Sequence, residues 1–213
     1  ERNGFAPENY EDVIMGNTNG AGEDCRNVAR FALLRAGMPV KVAGLTVNRL
    51  CGSGLAATID AARGVKAGEG ELFLAGGVES MSRAPIVMSK AQTAFDRTQE
   101  IADSTLGARF TNPAFASAYG NDTMPQTADN IASDIGITRE ESDKFAAASQ
   151  AKYEAARADG FFKDEIIPIE VPQGRKKPPL TVDADEHPRA QSTVEALSGL
   201  RTLFPDGVVT AGN

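Results

Sequence analysis

The stretch Val42-Ala43-Gly44-Leu45-Thr46-Val47-Asn48-Arg49-Leu50-Cys51-Gly52-Ser53-Gly54-Leu55 changes its backbone period partway along. Val42 to Val47 is β-branched and apolar enough for a strand. From about Gly52 to Lys66, Leu55, Ile59 and Ala62 recur at i, i+4 and i+7, and Gly68 stands beyond the end, which predicts a helix. Cys51 falls at the junction. The same alternation extends to both sides. Val13-Ile14-Met15 predicts a short strand, followed by a Gly/Asn loop from Gly16 to Gly22. Asp24 is placed to cap a helix carrying Val28, Phe31, Ala32 and Leu34 on one side, with Gly37 and Pro39 ending it. Leu72-Phe73-Leu74-Ala75 is a continuous apolar run, as expected for a strand covered on both faces. Strand–helix–strand at this spacing predicts a right-handed βαβ unit in a mainly parallel sheet.

Beyond residue 81 the character changes. From 81 to 125, Met, Ser, Pro and Asn are common and periodicity is weak, so a long functional loop is expected. Two helices follow. One carries Met124, Ala128, Ile131 and Ile135, and the other starts at Thr138 with Glu141 three residues on, a capping-box pattern. Ile167, Ile169 and Val171 alternate as a strand, and Pro168 marks it as an edge. Arg175-Lys176-Lys177-Pro178-Pro179 reads as a basic, extended, solvated loop, and Ser192 with Glu195 as another helix start. No internal repeat or low-complexity tract is present.

Composition narrows the chemistry. Of 213 residues, 41% are apolar and 24% charged, a globular balance with enough chain for a core. Lys and Arg number 22 against 29 Asp and Glu, and the net charge of −7 argues against binding nucleic acid or an anionic membrane. Two cysteines and one histidine exclude a disulfide framework and a Cys/His zinc site. Residues 1–10 are polar and carry no signal-peptide pattern, and no apolar run of ~18 residues is present for a membrane span. The default compartment is the cytosol or an organelle matrix, with reduced thiols, and a cytoplasmic location is the expectation.

Cys51 is the leading candidate nucleophile. At a strand-to-helix junction, free amides and the helix dipole favour a thiolate. Gly52, Ser53 and Gly54 are small enough for a substrate carbonyl to approach the sulfur, and amides at such a turn can stabilise an oxyanion. The bland alternative is an inert buried thiol. The layout is like a nucleophile elbow, but G-x-S-x-G itself is absent, since Cys51 and Leu55 stand where its glycines belong. Gly20-Ala21-Gly22 is not a dinucleotide loop, because Cys25 replaces the third glycine. Asn121-Asp122-Thr123 is a sequon without a secretory context.

Three stretches resemble the thiolase family, the acetyl-CoA C-acyltransferases: Asn48 to Leu55, Ala75-Gly76-Gly77-Val78-Glu79-Ser80-Met81-Ser82, and Val209-Thr210-Ala211-Gly212-Asn213. Ser142-Asp143-Lys144-Phe145-Ala146 and Phe161 to Ile166 match in order and spacing between them. Gly22-Glu23-Asp24, Arg26 to Arg30, Tyr119-Gly120 and Asp185-Glu186-His187-Pro188-Arg189 look most like 3-oxoadipyl-CoA and related degradative β-ketothiolases. The resemblance implies an α/β thiolase-type fold: an incomplete N-terminal half, with a mainly parallel mixed sheet and covering helices, plus an inserted loop domain. The expected division is a core at 1–82 lacking its first strand and helix, a loop domain at 83–205, and a return to the core at 206–213.

The resemblance also implies the chemistry. Cys51 matches the acylated nucleophile, which accepts an acyl group from a 3-oxoacyl-CoA, releases acetyl-CoA and passes the acyl group to CoA. Met124 matches an acyl-pocket methionine, Arg189 a contact to the nucleotide end of CoA, and Phe204 an apolar contact to CoA. By pattern alone, Met124 and Phe204 equally fit helix-face packing. The family's histidine base and second cysteine sit in Gly-His-Pro and Cys-Gly-Gly contexts, neither of which occurs here, so an N-terminal fragment inactive by itself is expected. His187 and Cys25 are read as bystanders. No permanently bound cofactor or metal is expected. CoA is a substrate, acyl-CoA thioesters are the partners, and a homodimer or homotetramer is implied. The alternatives are a biosynthetic acetoacetyl-CoA thiolase, a ketosynthase-like condensing enzyme, and a non-catalytic CoA- or lipid-binding relative.

Overall fold

The structure, a computed structural model, describes residues 3–105 and 107–213. The chain divides into two compact units, one up to Tyr119 and one from Gly120 to Asn213.

The first unit is built on three parallel strands in the order β2-β1-β3: β1 (Asp12–Gly16), β2 (Ala43–Val47) and β3 (Phe73–Gly77). Val13 lies opposite Gly44 and Leu74, and Gly16 opposite Val47 and Gly77, so all three strands end together. The mixed α/β class with a parallel sheet is as expected. Helix α1 (Val28–Arg35) packs on β2 and β1, and α2 (Ser53–Ala67) packs on all three strands. The core cluster is Val13, Ala29, Leu33 and Val42, each at most 2% exposed. Burying each of the larger side chains contributes about 1.5–3 kcal/mol.

Three local expectations are corrected here. First, Asn27 and not Asp24 caps α1. Asn27 Oδ1 accepts from Arg30 N, while its Nδ2 donates to Gly44 O on β2. Arg26 at φ 71° breaks any helix running from Asp24, whose carboxylate instead accepts from Gly22 N and Asn17 Nδ2. Second, the cap's tie to β2 fixes which face of α1 is inward: Ala29 and Leu33 are buried, while Phe31 and Leu34 are exposed.

The helix expected from about Gly52 to Lys66 is present as α2, which buries Ser53, Ala57 and Gly64 and leaves Leu55 and Ile59 exposed among the described residues. The buried side is the one whose small residues allow close approach. A Cβ on Gly16 would come within 2.5 Å of the Ser53 carbonyl carbon, and one on Gly64 within 2.9 Å of the Phe73 ring. Third, among the described residues β3 is not covered on both faces. In the sheet the described residues form it lies at the edge, α1 makes no contact with it, and Leu74 is exposed.

The aperiodic segment 81–125 is more structured than expected. It holds a 3-10 turn (Met81–Arg83), an antiparallel pair of β4 (Ile86–Met88) with β5 (Ile101–Asp103), and α3 (Pro113–Tyr119). Three-residue strands are too short to display a period.

The second unit contains α4 (Met124–Ile135), α5 (Arg139–Ala158), the antiparallel ribbon β6 (Ile169–Val171) with β7 (Leu180–Val182), and α6 (Val194–Ser198). The expected capping box is present. Thr138 N donates to Glu141 Oε2, and Glu141 N donates to Thr138 Oγ1. The cap of α6 is Thr193, which accepts from Ala196 N, one residue past the expected Ser192. Arg175 to Lys177 form the exposed turn joining β6 to β7 rather than an extended segment.

The most completely buried residue of this unit is Asp143, 1% exposed. Both its oxygens accept from Arg139 Nε at 2.9 and 3.0 Å, and Oδ1 also accepts from Asn213 Nδ2 at 2.7 Å. Asn213 Oδ1 in turn accepts from Thr210 N, and Asp129 Oδ1 accepts from Val208 N and Val209 N. No helix among the described residues is long and apolar enough to cross a membrane.

Candidate active site

Parallel strands that end in register place their following loops at one end of the sheet, where α/β folds bind ligands. Here the loops after β1, β2 and β3 are tied to one another. Asn17 N donates to Val47 O and Val78 N to Gly16 O. Asn17 is 4% exposed, and its Nδ2 donates to Val78 O at 2.8 Å. A cavity of about 490 Å³ opens there, lined by Gly16 to Thr18, by Gly77 to Glu79, and by the start of α2 with Cys51.

Cys51 immediately precedes Gly52, the N-cap of α2, and is exposed. It thus lies beside the helix end whose leading amides have no intrahelical acceptor and which carries the positive end of the dipole. Among the described residues nothing buries the Cys51 thiol. The turn presenting it is closed on itself. Gly52 N donates to Arg49 O and Ser53 N to Leu50 O. Ser53 Oγ accepts from Arg49 N at 2.8 Å and donates to Leu50 O at 2.6 Å. Leu50 sits at φ 49°, an uncommon conformation for a branched side chain, and its N–H donates to Asn48 Oδ1 at 3.0 Å.

Three residues of this cavity region, Asn17, Asn48 and Glu79, carry no assigned role in the sequence, although the Gly/Asn loop and two family-like stretches contain them. Their role comes from hydrogen bonds between loops far apart in the chain. Glu79 accepts from Thr18 N, Thr18 Oγ1 and Asn19 N. Burial and the nearby Asp24 push its carboxyl up, but the hydrogen bonds from Thr18 and Asn19 outweigh them and hold it below the ordinary glutamate value.

The other implied site residues lie in the second unit and do not share one cavity there. Phe204 lines a cavity of about 620 Å³ with Asp122, Gln126 and Asp129. Arg189 lines another of about 650 Å³ with His187, and its N–H donates to Gln150 Oε1. Met124 opens α4, is 68% exposed, and lines neither. Cys25 is half-buried in the first unit and, like Cys51, is a free thiol.

A small-residue turn that offers an exposed thiol at the carboxyl ends of a parallel sheet defines an α/β protein with an accessible cysteine in a strand-end cavity. The chain matches the profile of the thiolase N-terminal domain over residues 1–213, and it belongs to the thiolase family. It is 56% identical over 204 residues to a β-ketoadipyl-CoA thiolase of Acinetobacter baylyi, covering 95% of this chain and 51% of that protein. It is 51% identical over 207 residues to the 3-oxoadipyl-CoA/3-oxo-5,6-dehydrosuberyl-CoA thiolase of Escherichia coli, covering 97% and 51%. Among solved structures, the acetyl-CoA acetyltransferase of Bacillus anthracis superposes with a TM-score of 0.86 at 37% identity, over 100% of this chain and 52% of that one. Human mitochondrial 3-ketoacyl-CoA thiolase in complex with CoA gives 0.82 at 37% identity, over 98% and 50%. The chain spans about half the length of the curated relatives it matches.

Proposed function

We propose that the complete protein is an acyl-CoA acyltransferase that cleaves a 3-oxoacyl-CoA thiolytically, with 3-oxoadipyl-CoA as the substrate, or runs the reverse Claisen condensation. The observation that carries this reading is the exposed thiol of Cys51 at the N-terminus of α2, inside the cavity at the strand ends. The Cys51 thiolate attacks the C3 keto carbon. The C2–C3 bond breaks, and its electron pair leaves as the enolate of acetyl-CoA, which is protonated. The thiol of a second CoA then attacks the acyl-cysteine, transfers the acyl group to CoA and restores Cys51. In this proposal no residue of this chain is given the task of accepting or donating these protons. Identity to the β-ketoadipyl-CoA thiolases, at 50–56%, exceeds the 44% to an acetyl-CoA acetyltransferase of Allochromatium vinosum, which favours the degradative direction.

Within this proposal Met124 lines the acyl pocket, and Arg189 and Phe204 hold CoA. Residues 83–205 are the loop domain of a core that spans 1–82 and resumes at 206. The protein is a cytoplasmic homodimer or homotetramer that uses CoA as a substrate and needs no resident cofactor. Intact-mass measurement of the complete protein with a 3-oxoacyl-CoA tests the central claim. The unaltered protein should gain the acyl mass and Cys51→Ala should gain none. An acyl adduct that persists in Cys51→Ala would remove Cys51 from this role.

A further inference from the structure

Of the described residues lining the Cys51 cavity, Glu79 is the one with a charged side chain. Its oxygens are engaged with the backbone and hydroxyl of the neighbouring loop. Oε2 accepts from Thr18 N at 2.8 Å and from Thr18 Oγ1 at 2.5 Å, and Oε1 accepts from Asn19 N at 3.0 Å. Three hydrogen bonds from one loop take up most of the carboxylate's roughly four lone-pair sites, and so it acts as a clamp on that loop.

What the clamp holds leads to the nucleophile. Thr18 O accepts from Asn48 Nδ2 at 3.1 Å, and Asn48 Oδ1 accepts from Leu50 N at 3.0 Å. Leu50 is the residue at φ 49°, and Cys51 follows it. A left-handed leucine persists only where its surroundings over-determine it. Asn48 fixes its N–H and Ser53 its carbonyl, and Asn48 is itself anchored on the loop that Glu79 holds. The path from the carboxylate at the end of β3, across the loop after β1, to the turn after β2 is a series of bonds with Cys51 at its end.

We infer that Glu79 is a positioning residue for Cys51, acting through Thr18, Asn48 and Leu50 to hold the turn that presents the thiol. The inference rests on the assignment of Cys51 as the nucleophile. It separates Glu79 from the acid–base chemistry: the carboxylate stays out of proton transfer and fixes where the sulfur points.

The test is steady-state thiolysis by the complete protein, with Cys51 alkylation by iodoacetamide as a second readout. Glu79→Gln keeps the shape but turns an amide N–H2 toward one of the donors. It should lower kcat at least tenfold with KM within twofold, and change the Cys51 alkylation rate at least threefold. Because the bonds run in series, adding Asn48→Ala to Glu79→Gln should cost less than a further twofold. Thr18→Val, which deletes one donor and leaves the backbone, should lower kcat severalfold, and it serves as the measurement if Glu79→Gln does not fold. A folded Glu79→Gln with kcat within twofold of the unaltered protein overturns the inference. So does a double variant whose loss is the product of the single losses. Alkylation needs no substrate, so a Glu79 effect on it persists even if Cys51→Ala were to retain the acyl adduct. That pattern would reject the nucleophile assignment and leave the positioning of the turn standing.

Discussion

The two compact units close their interiors by opposite means. The first packs apolar groups: Val13, Leu33 and Val42, each at most 2% exposed, sit between the central strand and α1. The second has at its most buried point a carboxylate, Asp143, held by Arg139 and Asn213. An apolar core specifies which faces meet but tolerates small shifts. A buried charge with named partners specifies particular atoms, and removing one partner strands the other. The comparison also joins two stretches marked by family resemblance. Ser142-Asp143-Lys144 and Val209 to Asn213 form one hydrogen-bonded unit, in which the helix supplies the acceptor and Asn213 the donor.

Breaking each interior in turn tests the contrast. Asp143→Ala should produce the larger loss, about 4 kcal/mol, because it leaves the Arg139 guanidinium without its carboxylate and frees Asn213. Hydrogen exchange resolved by peptide should show that loss in α5 and in residues 208–213. Leu33→Ala should cost about 3 kcal/mol through lost transfer energy and a cavity, read in β1, β2 and α1 by the same method. If Asp143→Ala costs less than Leu33→Ala, the polar interior is not the stronger constraint and the contrast fails.

Thr138→Ala removes the oxygen that caps Glu141 N at the start of α5. A drop of about 1 kcal/mol in urea unfolding, with the slope unchanged, is expected.

The smallest effect concerns Asp12, whose carboxyl is raised above its ordinary 3.8 chiefly by burial. Asp60 adds to the rise and the Val13 amide opposes it. One of its oxygens is buried without a hydrogen-bond partner among the described residues. A raised folded-state value means that its contribution is fully present below about pH 3.8 and is lost as pH rises through that higher value. Asp12→Asn should therefore raise Tm slightly at pH 7, and the gain should vanish as the pH falls below about 4. A gain that is constant with pH would show that the charge is not its source.

Some of this was legible residue by residue. The β1, β2 and α2 segments, the α5 capping box and the placement of Cys51 follow from β-branching, glycine stops and side-chain chemistry, which act within a few residues. The helix faces were not legible. Leu55 and Ile59 form a regular apolar pattern but are exposed, while Ala57 and Gly64 are buried. Periodicity weighs how apolar a residue is, whereas the sheet selects the side of α2 that lets backbones approach. The cap of α1 was misplaced for a related reason: Asn27 is chosen by its bond to Gly44 O, seventeen residues away.

By itself, then, the sequence determined the β1-α1-β2-α2-β3 order and the α4–α5 pair, the strand–turn–helix that carries Cys51, and the family to which those motifs belong. These depend on local conformational preference and on motifs that recur intact. The tertiary structure alone decided that three loops meet around Cys51, that Glu79 is spent holding one of them, and that Asp143 reaches Asn213 across 70 residues of chain. Each of these is a hydrogen bond between residues whose separation along the chain carries no period. Only the folded backbone brings such partners within about 3 Å of each other.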